Sequence, residues 1–398
     1  MRSNLRIIVS GLMAQYPVGG VTWDYLQYLL GLGQLGHDVY YLEDSDQWPY
    51  NPVEGGLGKD GAYNATYLAG VMSRFGLADR WAYRFPGGSL PDGTVFPEAW
   101  FGLSDQRRRA VVRSADLLIN VSSGVGDPAR YGEVRRLAYV DTDPVFTQIR
   151  AVAEAGFREH LEAHHAHFSY GERLSDVAQA CPAVPDTGHR WRPMRKPIVL
   201  SEWHPCAPRR EVFTTVMNWT SYHDVTYRGR SYGQKDEEFA RFVDLPGRVA
   251  PTALELAVGS GLTRRAPREQ LMQQGWRLVD PMCVCPDLDS YRQYIEFSKA
   301  EWTVAKHGYV LGQVGWFSGR SACYLAAGRP VVVQDTGFDC VVPAGEGVLG
   351  FRTVDEAAAA IAAVNADYVR HAQAARDVAQ QYFDSAKVLS RLIDGSFD

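Results

Sequence analysis

The residues most able to do chemistry lie in the last third of the chain: Lys306-His307-Gly308, then Gly315-Trp316-Phe317-Ser318-Gly319-Arg320-Ser321, then Gly328-Arg329-Pro330 and Gln334-Asp335-Thr336-Gly337. Ser318 suits a helix N-cap, and Gly319 lets a ligand approach the first turn closely. The backbone N–H groups there, with the helix dipole, favour an anion. Arg320 adds a fork of donors and Ser321 a hydroxyl in the same turn. Lys306 is expected at the C-terminal end of one strand, and Asp335-Thr336-Gly337 at the end of the next. In a parallel sheet both ends face one crevice beside the helix start. The pattern predicts a pocket for a pyrophosphate. Ordinary caps with solvated Lys and Arg would use the same residues, so spacing alone leaves both readings open.

Other candidates are less specific. Asp141 and Asp143 follow a buried-strand pattern and precede Pro144; each is also a natural N-cap or Asx-turn residue for the next helix. His160, His164, His165 and His167 crowd one stretch, and His160 and His164 are spaced i, i+4, as a metal pair on a helix would be. Neither a cysteine nor a second carboxylate pair completes that set, so no metal site is expected. Cys283-Val284-Cys285 lacks a second cysteine pair. Gly259-Ser260-Gly261 reads as a turn, and Arg107-Arg108-Arg109 as a solvated helix face. Gly11, Gly19 and Gly20 do not make the Gly-x-Gly-x-x-Gly of a dinucleotide fold, although Glu43 ends the second strand where a ribose acceptor would sit.

The elements that must hold these residues alternate. Leu5–Ser10 reads as a strand, Trp23–Leu35 as a helix and Asp38–Leu42 as a second strand, which is a doubly wound start. Further strands are expected at 116–121, 137–141 and 167–170, with one helix over 145–163. Residues 45–100 resist parsing. The prolines between 180 and 211 read as an interdomain linker. A second α/β block follows, with strands at 213–219, 254–259, 302–306 and 330–335, and helices at 268–274, 290–300, 318–327, 354–364 and 368–391.

The 398 residues suggest two to three domains at roughly 150 each. With 46 % hydrophobic and 22 % charged residues, the chain has the composition of a soluble globular protein. Lys+Arg 41 against Asp+Glu 46 leaves a formal charge of −5, which argues against a general nucleic-acid binder. No apolar run reaches the ~20 residues of a membrane span. No export signal is evident, and six cysteines in this length do not form a disulfide framework, so a reduced, cytoplasmic setting is expected.

Residues 318–337 resemble the nucleotide-sugar-binding segment of two-domain glycosyltransferases of the GT-B fold. The run Ala326-Ala327-Gly328-Arg329-Pro330-Val331-Val332-Val333-Gln334-Asp335-Thr336-Gly337 is similar to their small-small-Gly-x-Pro-Val-Val-x-x-Asp-x-Gly run. Gly11, Gly19-Gly20 and His37-Asp38-Val39 are similar to the start of their first domain. The resemblance implies an α/β fold of two Rossmann-like domains facing each other across a cleft. Residues 1–200 would be the acceptor domain, 201–378 the donor domain, and 379–398 a helix crossing back to the first. It implies a bacterial, nucleotide-sugar-dependent enzyme that moves a sugar from a nucleotide diphosphate sugar to a small-molecule or glycan acceptor. The donor would be a co-substrate and no other cofactor is expected.

Donor binding would then fall to Lys306, His307, Ser318, Gly319, Arg320, Ser321, Asp335, Thr336 and Gly337. Positive charge at the helix start would serve the leaving diphosphate without a required divalent metal. Tyr16, Gly19, Gly20 and Trp23 would line the acceptor side. A base on that side is expected at Asp143, with Asp141, His167, Asp24 and Glu172 behind it. One departure stands out. Many retaining members carry a Glu-x7-Glu pair; aligned on Gly328, those positions are Gly315 and Cys323. The stereochemical outcome and the ribose contact are therefore unassigned. Two other readings fit the same residues: a nucleotide-sugar epimerase, or a sugar-nucleotide-binding protein without catalysis. Neither a nucleic-acid partner nor a membrane span is expected, and the sequence does not give the oligomeric state.

Overall fold

The computed structural model describes residues 4–90, 92–175 and 183–398; Cys181 and Pro182 of the expected linker lie outside them. In the first lobe the chain forms β1 (Arg6–Ser10), α1 (Gly19–Gln34), β2 (Asp38–Glu43), α2 (Ala62–Arg74), β3 (Trp81–Phe85) and β4 (Ala99–Gly102). It continues with α3 (Asp105–Ser114), β5 (Leu117–Val121), β6 (Leu137–Asp141), α4 (Phe146–Ala153), α5 (Ala155–Glu162), β7 (Ala166–Ser169) and β8 (Trp191–Pro193). Among the described residues these strands make one eight-stranded sheet, ordered β8-β7-β6-β5-β1-β2-β3-β4, parallel except for β4. Every position of β5 is buried, Leu117, Leu118, Ile119 and Val121 as well as Asn120, which marks a sheet covered on both faces.

The second lobe runs through β9 (Val212–Asn218), α6 (Lys235–Phe239), β10 (Ala253–Gly259), β11 (Arg277–Val279), α7 (Leu288–Phe297), β12 (Ala300–Thr303) and α8 (His307–Gly312). Then come α9 (Gly319–Ala326), β13 (Val331–Gln334), β14 (Val348–Phe351), α10 (Val354–Ala366), α11 (Tyr368–Val378) and α12 (Ser385–Phe397). Its six described strands are ordered β11-β10-β9-β12-β13-β14 and all are parallel. The order reverses between β9 and β12, so their C-terminal ends diverge and leave a crevice. Buried rings of Trp219, Phe239, Trp276, Trp302 and Phe351 pack the core beneath it, Trp302 and Phe351 stacking at 5.7 Å.

Several elements differ from expectation. The helix expected over 145–163 is two, because Glu154 is extended between them. The proline-rich stretch is more than a linker, since Trp191–Pro193 pairs beside β7 as β8. The helix expected over 368–391 widens at Ala379–Phe383 and breaks at Asp384, whose carboxylate caps α12 through the Ala386 N–H at 2.8 Å. The chain crosses between lobes near Ile198 and again near Asp384. The two crossings lie side by side, with Ile198 N–H on the Phe383 carbonyl at 2.7 Å and Ser385 N–H on the Ile198 carbonyl at 2.9 Å. α12 then packs on the first lobe, with Leu389 and Ser385 closing on Gly31 of α1.

The histidine cluster pins the α5 end to the first sheet instead of offering ligands. His160 bonds the Gly126 carbonyl at 3.1 Å, His164 bonds Asn120 Nδ2 at 3.1 Å, and the backbone N–H of Leu137 donates to His165 Nδ1 at 3.1 Å. His167 was expected near the cleft as a base. It is buried, spends Nε2 on the Leu161 carbonyl at 2.8 Å and packs against His189 and Trp191.

Burial holds both buried rings neutral, lowering His167 to about 4 and His164 to about 3. Both values are depressed from 6.5, so the stability they contribute is full above that pH and is lost as pH falls toward the folded values. We expect unfolding free energy to drop through this window by up to about 1.4 kcal/mol per pH unit for each ring. Urea titrations at stepped pH should show a flatter slope for His164→Asn; an unchanged slope would contradict the burial argument.

Candidate active site between the lobes

The crevice at the β9/β12 switch point receives three element starts. The chain leaving β9 makes a two-stranded hairpin (Val225–Tyr227 with Arg230–Tyr232) before entering α6 at Lys235. Three residues past β12, and not within the strand as expected, Lys306 stands at the N-cap of α8. Ser318 stands at the N-cap of α9, and its hydroxyl makes no capping bond. Beside the α9 start is a small cavity of about 10 Å³, bordered by Thr303, Trp316, Ser318, Arg320, Ser321 and Gln334. Buried polar atoms remain open near this crevice: Ser321 Oγ, Glu301 Oε2 and Gln234 Nε2 have no partner among the described residues. Each such atom costs on the order of 1–3 kcal/mol unless something pairs with it.

The donor-side residues divide into two groups. Arg320 points into its own lobe. Its Nε bonds Glu301 at 2.5 Å, and its other nitrogens bond the Val216 carbonyl at 2.7 Å and Thr303 at 2.8 Å. Its donor fork is therefore spent on structure. Asp335 likewise fixes its own turn, accepting from Gly337 N–H at 2.9 Å and pairing with Arg352 at 2.8 Å. Thr336 donates to the Trp316 carbonyl at 2.5 Å, and Gly337 needs its positive φ of 78° to pass the Gln313 carbonyl. His307 bonds Glu238 at 2.7 Å, and that bond raises its pKa against the opposing effect of burial.

Lys306 faces the other lobe. Its Nζ bonds Asp143 Oδ1 at 2.9 Å and Tyr222 OH at 2.8 Å, over the rings of Phe146, Tyr222 and Tyr309. The cation that sequence reasoning missed is Lys235. Its ammonium has no hydrogen-bond or ion-pair partner among the described residues. Desolvation, with Arg320 and Lys306 nearby, pulls its pKa well below the ordinary lysine value, while Glu301 opposes. The signal was present as Gly233-Gln234-Lys235 at a helix start after a core strand, but the hairpin that delivers it there leaves no simple spacing.

On the first lobe, Asp143 accepts from Lys306 and from the hydroxyls of Tyr222 and Tyr309. Asp141 does not reach the seam. It is buried and accepts from Thr147, Gln148, Ser169 and the Asp143 N–H, at 2.7, 3.0, 2.8 and 2.9 Å. It shapes the β6–α4 turn that presents Asp143. Asp24, half exposed, pairs with the buried Lys196 at 2.7 Å and lies beside Gly319. Glu172 is taken by Arg195. Glu43 is a loop anchor instead of a ribose acceptor: Ala14 and Gln15 N–H donate to it at 2.8 and 2.5 Å, and burial raises it to about 7.

The expected acceptor wall is an interlobe contact. A Cβ at Gly19 or Gly20 would run into Asp287 or Tyr291 of the second lobe, and Trp23 is buried with Nε1 on the Leu288 carbonyl at 3.0 Å. Only Tyr16 of that set is exposed. Of the two positions lacking the carboxylate pair, Gly315 carries the stem of Arg173 across it, and Cys323 is buried within reach of Gln27. Among the described residues no three His, Cys, Asp or Glu side chains gather to hold a metal, and no helix is long and apolar enough to cross a membrane.

No protein-family profile matches the chain, and no curated protein matches its sequence. Solved structures do match along its length. Sucrose-phosphate synthase from Thermosynechococcus elongatus is 12 % identical, with a TM-score of 0.56 over 100 % of this chain and 99 % of that one. HepE from Anabaena, solved with UDP and glucose, is 13 % identical, with a TM-score of 0.55 over 99 % of both chains. An alpha-glucosyltransferase solved with UDP-glucose and DNA is 11 % identical, with a TM-score of 0.58 over 98 % of both. With two parallel doubly wound sheets facing each other across a seam and a last helix lying on the first of them, the chain has the GT-B fold.

Proposed function

We propose that the chain is a glycosyltransferase that moves a sugar from a nucleotide diphosphate sugar to an acceptor held by the first lobe. The observation that carries this reading is the gathering of Lys235, Lys306 and the uncapped α9 start at the switch-point crevice, opposite a carboxylate of the other lobe. Two ammonium groups and a helix N-terminus suit the two negative charges of a leaving diphosphate. Solved proteins of this fold hold UDP or UDP-glucose, which supports the choice of ligand class. One of them also holds DNA, so the fold itself does not argue against a nucleic-acid acceptor.

In this reaction the acceptor hydroxyl gives its proton to Asp143, and its oxygen forms a bond to the anomeric carbon. The bond from that carbon to the phosphate oxygen breaks, and the diphosphate leaves with the electron pair. A single displacement of this kind inverts the anomeric centre. Asp24, beside the α9 start, is the neighbouring carboxylate and is already committed to Lys196. Arg320 and Glu301 hold the crevice wall in shape without touching the ligand.

Thermal unfolding with UDP, GDP and dTDP in turn should raise the midpoint for at least one of them; a ligand at a hundred times its Kd adds about 2.7 kcal/mol. For that nucleotide, Lys235→Ala should weaken calorimetric affinity tenfold or more with little change in the unfolding midpoint. Arg320→Ala should instead lower stability by about 3–5 kcal/mol, since it strands buried Glu301. Equal affinity in Lys235→Ala and wild type would remove Lys235 from the site.

Turnover tests the base. With a matching nucleotide sugar and an accepted acceptor, Asp143→Asn should lower kcat by about 10²–10⁴-fold, the usual worth of general base catalysis. Retention of more than a tenth of wild-type kcat would dismiss Asp143 from that role.

A further inference from the structure

Resting on the reading of the crevice as a diphosphate pocket, we infer that Asp143 acts as a resident counter-ion: it occupies Lys306 while the pocket is empty and gives it up to the donor's diphosphate. Three observations converge on this. The first is the contact itself. Lys306 Nζ meets Asp143 Oδ1 at 2.9 Å, and the hydroxyls of Tyr222 and Tyr309 donate to the same carboxylate. The cluster ties the β6–α4 turn of one lobe to α8 and the hairpin segment of the other. Lys306 is 13 % exposed and Asp143 31 %, so water screens the pair only in part.

The second observation is the charge inventory. Arg320 is matched by Glu301 and Lys306 by Asp143, while Lys235 is matched by nothing among the described residues. Arrival of a diphosphate gives Lys235 its missing partner and offers Lys306 a second one. Lys306 then trades one anion for another, and no charge is left unpaired in the seam except the departing carboxylate, which moves toward water.

The third is space. The cavity at the α9 start offers only about 10 Å³, whereas ligand pockets run to roughly 300 Å³ or more. That space must widen to admit a donor, and the Lys306–Asp143 pair is the ion pair that ties the first lobe to this crevice. Exchange of partners offsets the loss of that pair. It also sets an order: while Lys306 and two tyrosines hold its oxygens, the Asp143 carboxylate is not free to meet an acceptor hydroxyl, so the donor binds before the acceptor reacts. No covalent bond changes in the exchange.

Calorimetry with inorganic pyrophosphate, UDP, GDP and dTDP tests the inference on three full-length proteins. Asp143→Asn keeps the shape and removes the competing charge; it should bind at least one probe tenfold or more tightly than wild type. Tyr222→Phe keeps the charge but loosens its hold; it should tighten binding of the same probe by a smaller factor of about two to five. Affinity that is unchanged or weaker in Asp143→Asn overturns the exchange while leaving the pocket standing, provided wild type binds. Should Asp143→Asn fail to fold by circular dichroism, Tyr222→Phe decides alone, and unchanged affinity there overturns the exchange. Absence of binding by every probe to every protein brings down the pocket and the exchange together.

Discussion

Positive charge that cannot be left bare in a closing seam governs the arrangement of both lobes. Lys235 stands within electrostatic reach of both Lys306 and Arg320 beside the crevice between β9 and β12. Gathering like charges out of water is costly, and each must be answered by an anion or by loss of its proton. Glu301 answers Arg320 from within the sheet, and Asp143 answers Lys306 from across the gap. What remains unanswered among the described residues is the ammonium of Lys235, the place that the proposed diphosphate would fill. The aromatic faces of Phe146, Tyr222 and Tyr309 around Lys306 add an attraction that needs no partner charge.

How far this was legible in the chain follows from which features are local. The doubly wound order was readable, because buried parallel strands such as Leu117–Val121 and Val331–Gln334 are short apolar runs bounded by turns. The α9 start was readable from Ser318-Gly319. Strands β3 and β4 were not, because Trp81–Phe85 and Ala99–Gly102 sit among glycines, prolines and exposed hairpins that obscure periodicity. Within the site, Lys306 and Asp143 were visible as types, but their pairing joins residues far apart in sequence and depends on lobe placement. Arg320 illustrates the opposite error. A cation beside a helix start looked free, yet Glu301 lies on β12 at a distance no local pattern reports. Asp141 and Asp143, two residues apart, meet opposite fates because Asp141 is the last residue of β6, whereas Asp143 lies in the turn beyond it, where the chain leaves the sheet.

The glycines at the α1 start are also better understood as part of the packing between lobes. Gly19 and Gly20 let the backbone of α1 rest on Asp287 and on the Tyr291 ring, and Gly19 N–H donates to the Cys285 carbonyl at 2.9 Å. Together with Trp23 on Leu288 and the paired Arg74–Asp289, they form a second contact line, away from the Asp143–Lys306 pair. Tyr16, exposed just before it, belongs to the loop that Glu43 anchors.

The two crossings between lobes, at Ile198 and Asp384, are bonded to each other through a single parallel bridge. A single tether leaves two lobes free to swivel and twist, whereas two bonded tethers restrict them to bending about one axis. Rotation about such an axis would preserve the mutual register of the lobes and bring Lys306 back to the same carboxylate.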